Sequence, residues 1–376
     1  MIDAEVLLKE FFKHGAELIT GVPDSLLSSL SACAERKQLI PHIIAANEGN
    51  AIGLALGEYL ASQSPTVVYM QNSGLGNAVN PLVSLMDEEV YSIPVFLVIG
   101  WRGEPGLKDE PQHAKQGKIT IGQLELLGLR YEVIGPDNPE GVILEKIRLL
   151  WNLMLLESKP VALVVRKGAI SGDCLQLPDQ TPAYLKREFV IKTILEKVPE
   201  DSFVIATTGK TGRELYELRE VRKEPHRDFL TVGGMGHASS IAFGVARRRN
   251  QAVVCLDGDG AILMHLGALA IIGSFKPNNF LHIILNNRAH ESVGGQPTVS
   301  RTIDFESLSR GLGYENFAKV AKTEELCSAI ENFLVRPSLT MIEVVLQQGS
   351  RENLGRPKTS PIDNKRKVIS FLSAEN

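Results

Sequence analysis

A chain of 376 residues exceeds what one ordinary core organises, and its 44% hydrophobic and 22% charged residues suit a globular fold of two domains. The formal net charge of −4 leaves no basic footprint for nucleic acid or a membrane surface, and no apolar run reaches the about 20 residues that span a bilayer. Cys33, Cys174, Cys255 and Cys327 are scattered without a C-x-x-C pair, and three of them lie in apolar periodic segments, so buried free thiols in a reducing, cytoplasmic setting are the expectation.

The opening MIDAEVLLKEFFKHG predicts an amphipathic helix with acidic residues near its start, unlike a signal peptide. Short apolar strands follow at 18–22, 42–46, 66–71, 95–100, 131–134 and 161–166, separated by helices such as 49–62 and 140–157. Residues 101–118 show no periodicity, are rich in charge and carry His113; a long structureless loop is expected there, and such loops are usually functional. Residues 167–184, rich in Gly, Pro and Asp, read as a linker. The alternation then resumes, with strands at 203–207, 229–232, 252–257, 282–286, 317–320 and 340–346. This predicts an α/β protein of two doubly wound parallel-sheet domains, 1–168 and 185–376, joined by a linker at 169–184, with no room for a central third domain. The glycine-studded helix EGNAIGLALGEYLAS (48–62) is echoed by MGHASSIAFGVARRR (235–249), each before an apolar strand, a faint sign of duplication. The last 26 residues are mildly basic and predict a solvated or partly ordered tail.

The strongest local signal is Asp257-Gly258-Asp259-Gly260 at the end of the strand AVVCL. A helix over AILMHLGALAIIGSF follows, then the strand LHIIL running into Asn286-Asn287. Asp259 and Asn287 stand 28 positions apart (287 − 259), the length of one βαβ step. Right-handed crossover brings both to the carboxyl edge of the sheet, where α/β proteins bind ligands. A carboxylate and an amide carbonyl are hard oxygen ligands suited to Mg²⁺ shared with phosphate oxygens. Gly258 and Gly260 let the backbone approach a diphosphate, and a helix N-terminus at Ala261 favours negative charge. Taken alone, the same residues also make an ordinary strand-to-helix turn. Asn47-Glu48-Gly49-Asn50 closes the strand HIIAA. Between an apolar strand and an apolar helix, Glu48 is either a carboxylate able to share a proton or a first-turn glutamate favoured by the helix dipole.

In combination, GDGA…LNN and NEGN resemble the thiamine-diphosphate-dependent decarboxylases. GVPDS (21–25), QNSG (71–74) and NRAHESVGGQPT (287–298) are similar to the phosphonopyruvate decarboxylases among them, and the resemblance spans nearly the whole chain. It implies the thiamine-diphosphate-binding fold, a pyrimidine-type domain first and a diphosphate-type domain second, with thiamine diphosphate and Mg²⁺ as cofactors. It also implies a homo-oligomer, at least a dimer, whose shared sites take Glu48 and Asp259 from different subunits. Asp259, Asn287 and the Ala289 carbonyl are the implied metal ligands, and Glu48 the implied proton partner of the aminopyrimidine ring. Met235 is implied beneath the bent cofactor and the Gly233 carbonyl as acceptor of its amino group, though a core methionine beside a turn is the plain alternative. Asn72, Thr208, Gly209 and Lys210, with Gly258, Gly260 and Ala261, are the remaining implied cofactor contacts; a generic strand-end turn at 208–210 is the alternative.

The implied substrate is a small 2-oxo acid with a second anionic group, phosphonopyruvate, split into phosphonoacetaldehyde and carbon dioxide. Ser292, Gly294, Gly295 and Gln296 could offer it a nest of N–H groups, joined by Ser25 and Arg102. Arg102, Lys108, Lys115 and Lys118 of the long loop could supply charge, though each such residue is more often a solvated surface cation. His113 and His290 are the candidate proton-transfer groups, and Asp24 is a further candidate catalytic residue facing the same space from the first domain. Sulfopyruvate decarboxylase, whose two halves resemble these two domains, is the nearest rival. A carboligase and an inactive cofactor-binding regulator stand behind it. No G-x-G-x-x-G opens a helix after a strand, which argues against a dinucleotide fold.

Overall fold

A computed structural model of the chain describes residues 1–172 and 184–374. They group into two compact units. One holds the described residues up to 172 together with Ser292–Gln296; the other holds 184 to Glu291 and Pro297 onward.

The first unit runs β1 (Ile2–Asp3), α1 (Ala4–Lys13), β2 (Ile19–Gly21), α2 (Ser28–Lys37), β3 (His42–Ile44), α3 (Glu48–Ser62), β4 (Thr66–Gln71), α4 (Leu75–Pro81), β5 (Val95–Gly100), α5 (Pro111–Leu126), β6 (Arg130–Ile134), α6 (Glu140–Glu157), β7 (Val161–Val165) and β8 (Ile170–Ser171). Six of these strands form one parallel sheet in the order β3-β2-β4-β5-β7-β6. β1 and β8 make a separate parallel pair, so 170–171 is strand although the sequence reads as linker; residues 173–183 of that linker lie outside the described residues.

The second unit runs α7 (Arg187–Lys197), β9 (Phe203–Ala206), α8 (Lys210–Val221), β10 (Phe229–Leu230), α9 (Ala238–Ala246), β11 (Val253–Gly258), α10 (Asp259–Met264), α11 (Gly267–Phe275), β12 (Phe280–Asn286), α12 (Phe305–Gly311), β13 (Asn316–Val320), α13 (Thr323–Val335), β14 (Thr340–Val345) and α14 (Pro361–Ser373). Its parallel sheet is ordered β10-β9-β11-β12-β14-β13. Counting the six sheet strands of each unit from one to six along the chain, both sheets read 2-1-3-4-6-5. The two glycine-studded helices, α3 and α9, occupy the same place, between the second and third strands.

Alternation along each strand sends side chains to opposite faces, and helices cover both. In the first sheet Val67, Tyr69, Phe96 and Val98 pack towards α1 and α6, where Phe96 stacks on Trp151 with centroids 5.5 Å apart. Val68, Met70, Leu97 and Ile99 face the opposite cluster, with Ala51 and Ile52 of α3. The second sheet repeats the division, Val254 and Leu256 on one face, Val253 and Cys255 on the other. Each buried side chain of this size contributes about 1.5–3 kcal/mol.

Three expectations change. Residues 101–118 are not one loop: α5 begins at Pro111, whose fixed φ suits a first helical position. The helix is invisible to an apolar reading because its buried face is His113, Gly117, Thr120 and Leu124, helically spaced but mostly polar or small. The single helix expected after the GDG motif is two, α10 and α11, broken at His265 (φ −137°, ψ 51°), where the Gly236 turn packs against Ala261, Met264 and His265. The basic tail carries a docked helix: α14 buries Asn364 and Val368, and Asn364 Nδ2 donates to the Asp228 carbonyl at 2.8 Å. Cys33 and Cys255 are buried free thiols, Cys327 is a partly exposed one, and Cys174 lies outside the described residues. No helix among the described residues is long and apolar enough to cross a membrane.

α5 and the loop before it touch through bare backbone. A Cβ on Gly117 would lie 1.7 Å from the Gly103 carbonyl oxygen. Gly117→Ala should therefore cost about 1–3 kcal/mol in urea unfolding. Gly122→Ala on the same helix, where an added Cβ meets nothing within 4 Å, should be neutral or gain up to about 1 kcal/mol. Equal effects at the two positions would refute this packing.

Candidate active site

In the first unit the strands end in polar residues at one edge. Asp24 follows β2, Glu48 follows β3, Asn72 follows β4 and Arg102 follows β5. Asp24 is 0% exposed; its Oδ2 accepts from the Leu26 N–H at 3.1 Å, whereas its Oδ1 is buried with no hydrogen-bond partner. Burial pushes its carboxyl up to about 6, against the pull of Arg102 and of nearby backbone N–H groups.

Arg102 is not the free cation that the sequence suggests. Its guanidinium forks onto Asp109 through Nε (2.8 Å) and Nη2, and its Nη1 donates to Ser25 Oγ at 2.8 Å. Burial would raise Asp109, but this fork and the Gly103 N–H hold it down to about 2. His113 sits buried on α5, where desolvation and the charge of Arg102 lower its proton affinity. The structure thus brings Asp24, Ser25, Arg102 and His113 into one cluster and adds Asp109. Asn72 builds the wall of that cluster: its amide donates to the Arg102 carbonyl and Thr120 Oγ1, both at 2.8 Å, and accepts from the Arg102 N–H. Lys108, Lys115 and Lys118 are exposed.

Glu48 opens α3 behind the N-cap Asn47 and is 6% exposed. Asn77 Nδ2 donates to its Oε2 at 2.8 Å. Its other oxygen lies where a side chain at Gly74 would stand, a Cβ there falling 2.4 Å from Oε1.

In the second unit Asp259 starts α10 and is 2% exposed. Thr298 and Ser300 donate hydroxyls to its Oδ2, the latter at 2.9 Å; burial still raises its proton affinity. Among the described residues no lysine, arginine or histidine forms an ion pair with it. Register places Gly258 opposite Leu285, so Asp259 and Asn286–Asn287 leave neighbouring strands at the same edge, and Ser300 Oγ bridges Asp259 and Asn286 Oδ1. Arg288 is held at φ +61°, a strained conformation for a residue with a side chain, between Asn287 and Ala289. The loop that follows closes on itself, Thr298 N donating to the Arg288 carbonyl and Ala289 bridging to Pro297. His290 lies against Gly260, and burial drops its proton affinity to about 4.

At the loop tip, Gly294 and Gly295 have φ of +134° and +80°. Gln296 is 0% exposed and its Nε2 donates to Ser31 Oγ at 2.6 Å, so the side chain is a pin for the loop and not a group reaching outward. Ser292–Gln296 group with the unit that holds Asp24, Ser25 and Arg102. Thr208 bonds the Val232 carbonyl, Gly209 (φ +93°) caps α8, and the Lys210 ammonium is bound by Glu291 at 2.9 Å. Gly233 and Met235 are partly exposed at their turn, so Met235 is not a core methionine. Thr207 Oγ1 and Thr231 Oγ1, at the ends of adjacent strands, are buried without a partner.

Sequence reasoning missed Thr298, Ser300, Glu291, Asp109 and Asn77. Thr298 and Glu291 stand inside the NRAHESVGGQPT phrase, which is the available signal; Ser300, Asp109 and Asn77 carry none beyond their fold contacts. A further buried trio, Cys255, Asp257 and His282, brings its ligand atoms within 4.8 Å. It is satisfied internally: His282 bonds Tyr314 (2.9 Å) and Asp257 (3.4 Å), and Asp257 Oδ1 takes the Gly258 N–H.

The N-terminal TPP binding domain of thiamine pyrophosphate enzymes matches residues 3–125, and the C-terminal TPP binding domain matches residues 207–344. The chain belongs to the thiamine pyrophosphate enzymes. It is 32% identical to the phosphonopyruvate decarboxylase of Streptomyces viridochromogenes, over 99% of this chain and 96% of that one. The phosphonopyruvate decarboxylase of Streptomyces hygroscopicus is also 32% identical, over 99% and 94%. The sulfopyruvate decarboxylase of Methanosarcina acetivorans is 29% identical, over 93% of each chain. The expectation of two parallel-sheet α/β domains of this family is borne out, and the chain is a decarboxylase that depends on thiamine pyrophosphate.

The buried Asp24 yields a pH test. Its folded value, about 6, lies above the ordinary 3.8. A raised folded value means a contribution complete below the unfolded value and lost as pH rises through the folded one, a difference of about 3 kcal/mol. The stability of Asp24→Asn minus that of the wild type should therefore grow by about this amount between about pH 4 and about pH 7. A flat difference in urea unfolding would exclude the raised value.

Proposed function

We propose that the chain decarboxylates phosphonopyruvate, cleaving the C1–C2 bond, releasing carbon dioxide and placing a proton on C2 to give phosphonoacetaldehyde. The observation that carries this reading is a pair of buried carboxylates, one per unit. Glu48 has one oxygen held by Asn77, and Asp259 has hydroxyl neighbours and, among the described residues, no basic side chain paired with it. The likeness to two phosphonopyruvate decarboxylases over nearly the whole chain supports that choice of substrate.

Mg²⁺ is the fitting metal, since Asp259, Asn287 and the Ala289 carbonyl are hard oxygen donors. The unpartnered hydroxyls of Thr207 and Thr231 suit a diphosphate at the same edge. Thiamine diphosphate, when bound, supplies the carbon nucleophile and the sink for the electron pair left by carbon dioxide. Glu48 would hold the proton exchanged with the aminopyrimidine ring on Oε1, the oxygen that Asn77 leaves free. Gly233 and Met235 would receive that ring, while Thr208, Gly209, Gly258, Gly260 and Ala261 border the diphosphate. Asp24 and His113 supply the proton to C2, Asp24 being favoured by its buried, unpaired Oδ1. Ser25, the N–H groups of Ser292, Gly294 and Gly295, and the fixed Arg102 would face the phosphonate. The assembly proposed is a homodimer or larger, with Glu48 and Asp259 of one site on different chains.

A second reading, sulfopyruvate as substrate, is favoured by the full-length relative at 29% identity. Carbon dioxide release is the assay. Phosphonopyruvate should be turned over only with Mg²⁺ and thiamine diphosphate, at a higher kcat/KM than sulfopyruvate. Glu48→Gln should lose about 10²–10⁴-fold in kcat while still binding cofactor. Turnover retained by that variant, or a reversed substrate preference, would overturn the corresponding half of the proposal.

A further inference from the structure

We infer that Glu291 is a positioning residue for Asn287: held by Arg187 and Lys210, it fixes the Asn287 amide so that the carbonyl, not the NH₂, is offered to the metal. The inference rests on the reading of Asn287 as a metal ligand and deepens it.

An asparagine amide is nearly symmetric in shape, yet only its oxygen can ligate a cation, so the surroundings must choose between two orientations about χ2. Here both ends of the amide are fixed. Asn287 Nδ2 donates to Glu291 Oε2 at 2.7 Å, and the Ala289 N–H donates to Asn287 Oδ1 at 3.1 Å. A flip would set the NH₂ against an N–H donor and the carbonyl against a carboxylate. Each clash opposes it.

Glu291 can act this way because it is itself immobilised. Arg187 Nη1 reaches its Oε2 at 3.0 Å and Lys210 Nζ its Oε1 at 2.9 Å. Arg187 is clamped in turn by Glu214, through Nε at 2.7 Å and Nη2 at 2.9 Å. The Arg187, Glu214 and Glu291 side chains are all under a tenth exposed, and the two cations balance the two anions. A buried, fully paired network of this kind specifies geometry. It runs from α7 (Arg187) and α8 (Lys210 and Glu214) to the loop after β12, so the packing of two helices sets the orientation of one metal ligand. Lys210 accordingly serves the metal side of the site through Glu291.

Mg²⁺ titrated calorimetrically into the chain with saturating thiamine diphosphate, against a protein-free blank, reads the inference directly. Glu291→Gln replaces the obligate acceptor with an amide that can also donate, removing the bias. It should weaken Mg²⁺ binding about 10–100-fold, with kcat recovered at saturating Mg²⁺. Glu214→Gln loosens the same network without touching Asn287 and should lower the melting temperature of the metal-free chain with a smaller effect on Mg²⁺. Should Glu291→Gln not fold, Lys210→Met reads the same link and should also weaken Mg²⁺ binding. Mg²⁺ affinity unchanged by Glu291→Gln or Lys210→Met, while Asp259→Asn abolishes it, overturns the inference alone. Affinity unchanged by Asp259→Asn overturns the metal reading and the inference with it.

Discussion

The decisive constraint is the cost of holding the Asp259 carboxylate out of water. An ionised carboxylate buried without counter-charge is destabilising by several kcal/mol. Other buried charges in this unit are matched: Arg187 forks onto Glu214 and Arg219 onto Asp228, each within 2.9 Å. Around Asp259 stand hydroxyls of Thr298 and Ser300, which orient the group without neutralising it. A divalent cation would remove the cost, and the neighbouring groups suit one: an amide with its NH₂ turned away onto Glu291, and a strained Arg288 between Asn287 and Ala289. Under the proposed reading, the loop closure at Thr298 and the Glu291 network both serve that cation.

One topology is used twice to place such groups. In each unit the strand order 2-1-3-4-6-5 leaves the carboxyl ends of the first four strands around a switch in direction, where α/β sheets bind ligands. Corresponding strand ends carry different chemistry. After the second strand come Glu48 in one unit and the Met235 turn in the other; after the third, Asn72 and Asp259; after the fourth, Arg102 and Asn287. One edge is furnished with titratable groups and the other with hard oxygens. The scaffold repeats while its furnishing does not.

Much of this is legible in the sequence because parallel strands buried on both faces read as continuous apolar runs, and polar residues that end them stand out. Asp259 and Asn287 stand out through spacing and flanking strands, whereas Glu48 stands out only beside that motif, since its place at a helix start also suits an ordinary first-turn glutamate. Helix α5 stays hidden because its buried face, His113, Gly117, Thr120 and Leu124, is not apolar, and hydrophobic periodicity is blind to packing by bare backbone. The break at His265 lies where the Gly236 turn packs from elsewhere in the unit, a contact without local signature. Arg102 reads as a free cation because its neutralising partner, Asp109, is seven residues away in a loop whose conformation no pattern specifies.

That last pair also shows how environment sorts chemically identical groups. Asp24 and Asp109 both feel Arg102, yet one carboxyl rises to about 6 and the other falls to about 2. The difference is burial first and hydrogen bonding second: Asp24 is wholly buried, feels Arg102 only through space and keeps one oxygen unpaired, whereas for the less buried Asp109 the guanidinium fork and the Gly103 N–H outweigh desolvation. Two carboxyls pushed apart in this way divide the labour of a site, one fixed as a permanent anion and one able to carry a proton near neutral pH. Asp109 belongs to the first kind, since its charge is tied to holding Arg102 against Ser25. Asp24 belongs to the second. Under the proposed reading, a proton delivered from Asp24 would leave behind an anion beside Arg102, whose positive charge favours that state through space, so the arginine would lower the cost of the transfer without itself touching the proton.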